Sequence, residues 1–217
     1  MLSENPKAVN IKLLRNYPSN INSNQADGRA TDAAFHTSVS DDDKTPEEIM
    51  GALAAQLVVQ LADELLDAIC GNSPTFFEIL VVDLLLKMGY GGLEGSADVT
   101  KRTGDGGIDG IIKQDELGLD LIYIQAKRWD RNASVSRPEI QKFAGALLGV
   151  GATKGVFITT ANFAKPALEY AKSVPNAKII LIDGFMLARL MIKHDLGVGT
   201  SNTILIKKID SDYFDEE

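Results

Sequence analysis

Cysteine and histidine are nearly missing from this chain: 217 residues contain only Cys70, His36 and His194. A single thiol excludes an intramolecular disulfide and fits a reducing compartment. Neither histidine stands beside a cysteine or serine, so a histidine-based catalytic triad is excluded as a reading. Cys70 closes an apolar stretch and reads as a small buried residue rather than a nucleophile. No secretory apolar region follows Met1, and no apolar run is read as reaching the roughly 18 residues of a membrane span. The G-x-x-x-x-G-K-[ST] and G-x-G-x-x-G phosphate-binding patterns are also missing; Gly149, Gly151 and Gly155 have the wrong spacing. What remains is the expectation of a soluble cytoplasmic protein without a membrane partner. At 45% hydrophobic residues it can bury a core of one domain, or one domain plus an appendage.

Positive charge is scarce overall, with 22 Lys and Arg against 30 Asp and Glu, which taken alone argues against nucleic acid. The distribution changes that reading. Residues 71–195 carry 15 basic and 14 acidic groups, whereas the flanks carry 7 and 16. Within the central part, Lys127, Arg128, Arg131, Arg137 and Lys142 cluster, opposed only by Asp130 and Glu139. A solvated basic loop and a phosphate-contacting surface account for this cluster equally well.

Residues 1–44 are rich in Asn, Ser, Asp and Ala and read as an irregular or disordered segment. Thr45, Pro46 and Glu48 form a helix start with a capping box. Ile49, Leu53, Leu57, Leu61, Leu65 and Ile69 then recur every fourth residue, predicting a linker helix over 45–70. Ser73 and Pro74 open a second helix that Gly89 ends. The period then becomes extended: a short strand at 97–101, a turn at 104–107, a strand at 108–112, and the clearest strand at 119–127. Alternation in the last places Leu121, Tyr123, Gln125 and Lys127 on one face and Ile122, Ile124 and Ala126 on the other. Helices at 137–148, 165–172 and 185–193 alternate with strands at 155–160 and 178–182. A last strand is expected at 203–209, within a C-terminal strand and acidic tail over 196–217. This order predicts an α/β fold, a central sheet with helices on its faces.

The segment Gly104-Asp105-Gly106-Gly107-Ile108-Asp109-Gly110 superficially matches a calcium loop. However, Gly107 occupies a position that needs an oxygen ligand, and a strand-like pattern follows where a helix is required. A different constellation remains. Asp109 opens one strand, while Gln125 and Lys127 share a face of the next. If the two strands pair, a carboxylate, an amide and a lysine meet at one end of the sheet. Asp109, the Gln125 amide oxygen and the main-chain carbonyl of Ala126 are hard oxygen donors suited to Mg²⁺, with Mn²⁺ as the alternative ion. Lys127 can stabilise developing charge or help deprotonate an attacking water. Glu78, on the preceding helix opposite Phe77 and Val81, is an acid in need of a partner. Taken singly, Lys127 reads better as a strand-edge lysine, Asp109 as a turn carboxylate and Glu78 as a solvated helix acid.

In combination, Phe76-Phe77-Glu78, Leu85 with Met88-Gly89-Tyr90, Gly104 to Gly110, and Gln125-Ala126-Lys127-Arg128 resemble the catalytic domain of Mrr-type restriction endonucleases. These belong to the PD-(D/E)xK nuclease superfamily. The similarity continues through Lys154-Gly155-Val156-Phe157-Ile158-Thr159-Thr160, Phe163, Ala167 and Ile182-Asp183-Gly184, so that it spans roughly 71–195. The resemblance implies a restriction-endonuclease-like mixed sheet, with the catalytic domain at 71–195. It also implies Asp109 as metal ligand, Gln125 and Lys127 as a Q-x-K form of the D/E-x-K pair, and Glu78 as the supporting acid. Double-stranded DNA as substrate and Mg²⁺ as cofactor follow, with a preference for methylated DNA in some members. Relatives carry an N-terminal winged-helix reader, for which residues 1–44 look too short. The expectation is therefore a metal-dependent deoxyribonuclease of the type IV restriction kind, acting on foreign or methylated DNA and pairing with a second copy to cut both strands. Arg128, Arg131, Arg137 and Lys142 are the expected phosphate contacts. The alternatives are a junction or repair nuclease, and a non-catalytic DNA-binding or assembly module of the same fold.

Overall fold

A computed structural model of the chain describes residues 45–93, 97–98 and 107–214. The expectations for residues 1–44, for most of the 97–101 strand and for 104–106 fall outside these. The chain divides into one unit spanning Lys44–Val198 and another comprising Met1–Asp43 and Gly199–Glu217.

The larger unit starts with α1 (Pro46–Cys70), whose Thr45 and Glu48 form the predicted reciprocal capping box. Only its C-terminal half is buried, through Ala62, Leu65, Leu66 and Ile69, which join the core formed with the sheet. The C-terminal half of the helix is thus part of the core of the larger unit. The reading that no run reaches a membrane span's length is also corrected. An 18-residue window of α1 reaches a mean hydropathy of 1.5, long and apolar enough to cross a membrane by length and composition. Uninterrupted apolar runs miss this window because Gln56, Gln60, Asp63 and Glu64 interrupt it.

After α2 (Pro74–Lys87), capped by Ser73, the chain enters the sheet. Its strands are β1 (Ala97–Asp98), β2 (Gly110–Lys113), β3 (Leu121–Lys127), β5 (Lys154–Thr159) and β7 (Lys178–Ile182). They lie side by side in that order. The first three pair antiparallel, while β3, β5 and β7 are parallel, so the sheet is mixed. The parallel crossovers use α3 (Arg137–Gly149) and α4 (Lys165–Ser173), and α5 (Gly184–Lys193) follows β7. Two-residue strands β4 (Ser134–Val135) and β6 (Asn162–Phe163) pair with each other and tie down the chain that leaves β3.

The alternation in β3 separates two cores. Ile122, Ile124 and Ala126 face α1, α2 and α5, and Tyr123 faces the layer of α3 and α4 together with Phe143 and Phe157. Between β2 and β3, the Asp115 carboxylate accepts hydrogen bonds from the amides of Leu117 (3.0 Å), Leu119 (3.2 Å) and Asp120 (2.8 Å). These bonds draw 119–120 into the turn, so β3 starts two residues later than its alternation suggests. They also hold the carboxyl below its ordinary pKa, the Asp120 amide contributing most.

In the other unit, the expected 203–209 strand does not form: Ile204 alone makes a bridge, and Ser211–Tyr213 is a single 3₁₀ turn. Alternating sequence makes a strand only where a neighbour supplies a ladder, and here the pairing stops at one residue.

Candidate active site

The β2–β3 register decides the site. Gly110 lies opposite Ile124, so Asp109 comes to the C-terminal end of β3. Its amide donates to the Ile124 carbonyl at 2.8 Å, and its Oδ2 accepts from the Ala126 amide at 2.8 Å. The carboxylate is therefore clamped onto the strand that carries Gln125 and Lys127, and among the described residues its second oxygen has no hydrogen bond. Pairing of consecutive strands, assumed from sequence, is what brings the three residues together.

Gln125 is 6% exposed, one of three buried polar residues among the described ones; Thr159 and Thr160 are the others. Its carboxamide is cradled by Gly107, which has φ +109°; a Cβ there would lie 2.5 Å from Gln125 Nε2. Only glycine tolerates both that backbone angle and that approach. Lys127 is half-buried, and its ammonium forms no hydrogen bond or ion pair among the described residues. Its main-chain carbonyl accepts from Thr159 Oγ1 at 2.7 Å.

Glu78 is placed differently. It is half-buried on α2, beside the fully buried Phe77 and Val81, in the layer opposite the face of Gln125 and Lys127. No hydrogen bond or ion pair joins it to Asp109, Gln125 or Lys127 among the described residues.

The basic cluster is the larger surprise. Arg128 Nη1 donates to the Cys70 carbonyl at the end of α1 (2.8 Å), and its Nε is buried with no partner among the described residues. Arg131 is gripped by two α1 carboxylates, Asp63 and Asp67, both at 2.5 Å. Hydrogen bonding to Asp67, more than to Asp63, raises its affinity for its proton. The Arg137 guanidinium lies 5.1 Å from the ring centre of Tyr170, and Lys142 pairs with Glu139 at 2.7 Å. Each of the four expected phosphate contacts thus has a partner inside the chain. Sequence adjacency could not reveal this, because the acids that hold Arg131 lie 64 and 68 residues earlier.

One carboxylate, one amide oxygen and one main-chain carbonyl make a small, hard donor set. No cluster of three or more His, Cys, Asp or Glu side chains that could hold a metal occurs among the described residues. That composition fits a magnesium-like ion completed by water and substrate phosphate rather than one held in an all-protein cage. The clamped Asp109 and the glycine cradle under Gln125 both favour such a fit.

Residues 70–191, more than half the chain, match the model of the restriction endonuclease family, Mrr catalytic type. The chain therefore belongs to the Mrr-type restriction endonucleases. Over 171 residues it is 43% identical to the type IV methyl-directed restriction enzyme EcoKMrr of Escherichia coli (strain K12). That alignment covers 79% of this chain and 55% of that protein, so the chain spans about half the length of the curated relative it matches. Among solved structures, the DNA modification-dependent restriction endonuclease AspBHI aligns with a TM-score of 0.48 and 19% identity. It covers 72% of this chain and 37% of that one. The MspJI restriction endonuclease in complex with a 27-mer oligonucleotide aligns at 0.45 and 23%, covering 70% and 35%.

Proposed function

We propose that this chain is a metal-dependent DNA endonuclease of restriction type that hydrolyses phosphodiester bonds in foreign or methylated duplex DNA. The observation that carries the reading is the 2.8 Å bond from the Ala126 amide to Asp109, which fixes a carboxylate beside Gln125 and Lys127. Kinship with a methyl-directed enzyme supports modified DNA as the substrate.

In this reading Asp109, the Gln125 amide oxygen and the Ala126 carbonyl hold Mg²⁺ or Mn²⁺, which supplies Lewis-acid charge at the scissile phosphate. Asp109 keeps one oxygen for that task because the other is occupied by Ala126. Gln125, buried and backed by Gly107, presents its amide in one orientation, so little ordering remains when substrate arrives. Lys127 has no protein counter-ion among the described residues; its ammonium offsets charge developing on the phosphoryl oxygens, or its neutral form takes a proton from the attacking water. Glu78 keeps the role of supporting acid on the family resemblance alone. Arg137 and Lys142 give up weak surface partners to contact phosphate, whereas Arg128 and Arg131 keep theirs. A second copy of the chain is needed to cut the second strand. A cytoplasmic enzyme that meets incoming DNA fits the whole of this reading.

The test is cleavage of methylated and unmethylated plasmid, with and without Mg²⁺. Cleavage that requires the ion and favours methylated plasmid is the expected result. Intact plasmid under every condition, from a protein that binds duplex DNA, would replace the enzyme with a binding module of the same fold.

A further inference from the structure

The three buried polar residues of the described chain sit around one point, the C-terminal end of β3. Gln125 is part of the proposed site. The other two, Thr159 (0% exposed) and Thr160 (2%), stand at the end of β5 and have no role in the reading above. Burying a hydroxyl is unfavourable unless it finds a partner, so what each bonds to is informative. Thr159 Oγ1 donates to the carbonyl of Lys127 at 2.7 Å and accepts from the Ala161 amide at 3.2 Å. Thr160 Oγ1 donates to the carbonyl of Trp129 at 2.5 Å.

Both hydroxyls therefore hold the main chain at and just beyond Lys127, where β3 stops being a strand. Lys127 lies opposite Thr159 in the parallel register, at the last pair of that ladder. With no further rung beyond this pair, the main chain at Lys127 would be free to leave the line of the strand, and the side chain carried on its Cα would move with it. The threonines are braced in turn: Gly184, at the start of α5, donates its amide to the Ala161 carbonyl at 3.1 Å. A Cβ at Gly184 would collide with the Thr160 carbonyl, so α5 packs directly on this segment.

We infer that Thr159 is a positioning residue: its hydroxyl, through the Lys127 carbonyl, fixes the direction in which the Lys127 ammonium enters the site. Thr160 does the same for the following segment and acts one step further from Lys127. The inference rests on Lys127 being the charge-stabilising group, but the placement it describes can be measured without turnover.

The experiment compares wild type with Thr159→Val, which keeps the shape and removes the donor, and Thr159→Ser, which keeps the donor. Lys127 acetylation by acetic anhydride is followed by peptide mass spectrometry across pH, with Lys165, whose side chain is 87% exposed, as internal standard. The expected result is a change of threefold or more in the Lys127 rate for Thr159→Val and none for Thr159→Ser. In parallel, on plasmid, kcat falls at least tenfold in Thr159→Val with KM within twofold, and Thr159→Ser restores it. An unchanged Lys127 profile in folded Thr159→Val overturns the inference, as does unchanged kcat accompanied only by a lower Tm. If the wild type does not cut DNA, the nuclease reading fails while the acetylation profile still decides the placement. Should Thr159→Val not fold, Thr159→Cys, a poor donor, takes its place against Thr159→Ser with the same two outcomes.

Discussion

The two ends of the β2–β3 hairpin each carry an aspartate that accepts main-chain amides, and they use it differently. At the loop end, Asp115 takes three amides in an exposed turn and has little capacity left. At the sheet end, Asp109 takes one amide, from Ala126, and faces a buried glutamine and a lysine with no counter-ion among the described residues. The first is a fastener; the second is the proposed ligand, held in place. The fastener serves the ligand, since a slip of one residue in the hairpin would turn Gln125 and Lys127 to the opposite face.

The largest effects are expected at the sheet end. Asp109→Asn retains an oxygen acceptor for the Ala126 amide but loses the charge, and Lys127→Ala removes the cation. Each should lower plasmid cleavage at least about 100-fold while Tm stays near the wild-type value. Cleavage within a few-fold of wild type in either variant would move the site elsewhere. Gly107→Ala is next. Its methyl group must displace the Gln125 amide at a backbone angle that disfavours alanine, and cleavage should drop roughly tenfold, with a stability loss of about 1–3 kcal/mol from the strained backbone. Chemical denaturation alongside the cleavage assay separates the two effects.

At the loop end, Asp115→Ala should lower Tm at neutral pH yet leave cleavage at low temperature within a few-fold of wild type. The carboxyl titrates lower in the folded chain than in the unfolded one. Its contribution is therefore complete above the ordinary value of 3.8, fades as the pH falls below it, and is gone once the folded carboxyl is protonated. The Tm difference between variant and wild type should close over that acid range; a difference that persists unchanged would assign Asp115 no such role. The smallest effect is expected at Arg131→Gln. Because Asp63 and Asp67 already hold this guanidinium, the salt dependence of DNA binding should change by less than the slope of about 0.9 that one lost phosphate contact produces. A full unit lost, measured on Asp109→Asn protein, would return Arg131 to the DNA surface.

Much of the sheet and most of the proposed site were legible in the sequence, for identifiable reasons. The alternation of β3 is unambiguous because one side must be apolar, and this alone places Gln125 and Lys127 together. The helix starts at Thr45 and Ser73 carry their own capping chemistry. What the sequence withheld depends on distant partners. The strands β4 and β6 are two residues long, too short to display a period. The arginines after Lys127 read as a basic loop because the acids of α1 that hold Arg131, and the Cys70 carbonyl that holds Arg128, are remote in sequence. Gly107 and Thr159 were visible as parts of motifs, but their roles depend on a close approach and on a hydrogen bond that no spacing rule encodes. The alternation at 203–209 failed in the opposite sense: it promised a strand where Ile204 alone makes a bridge.

The uneven burial of α1 gives the molecule a lever. From Pro46 to Gln60 nearly every residue is exposed, with Leu53 at 55% and Leu57 at 67%, while the last turns are fastened to the chain just after Lys127. At 1.5 Å per residue the free stretch is roughly 22 Å long, so a tilt of about 10° at the fastened end carries its tip about 4 Å. Run in reverse, a push of a few ångströms at Pro46 would arrive beside Lys127 as a small rotation if the fastened turns serve as the pivot.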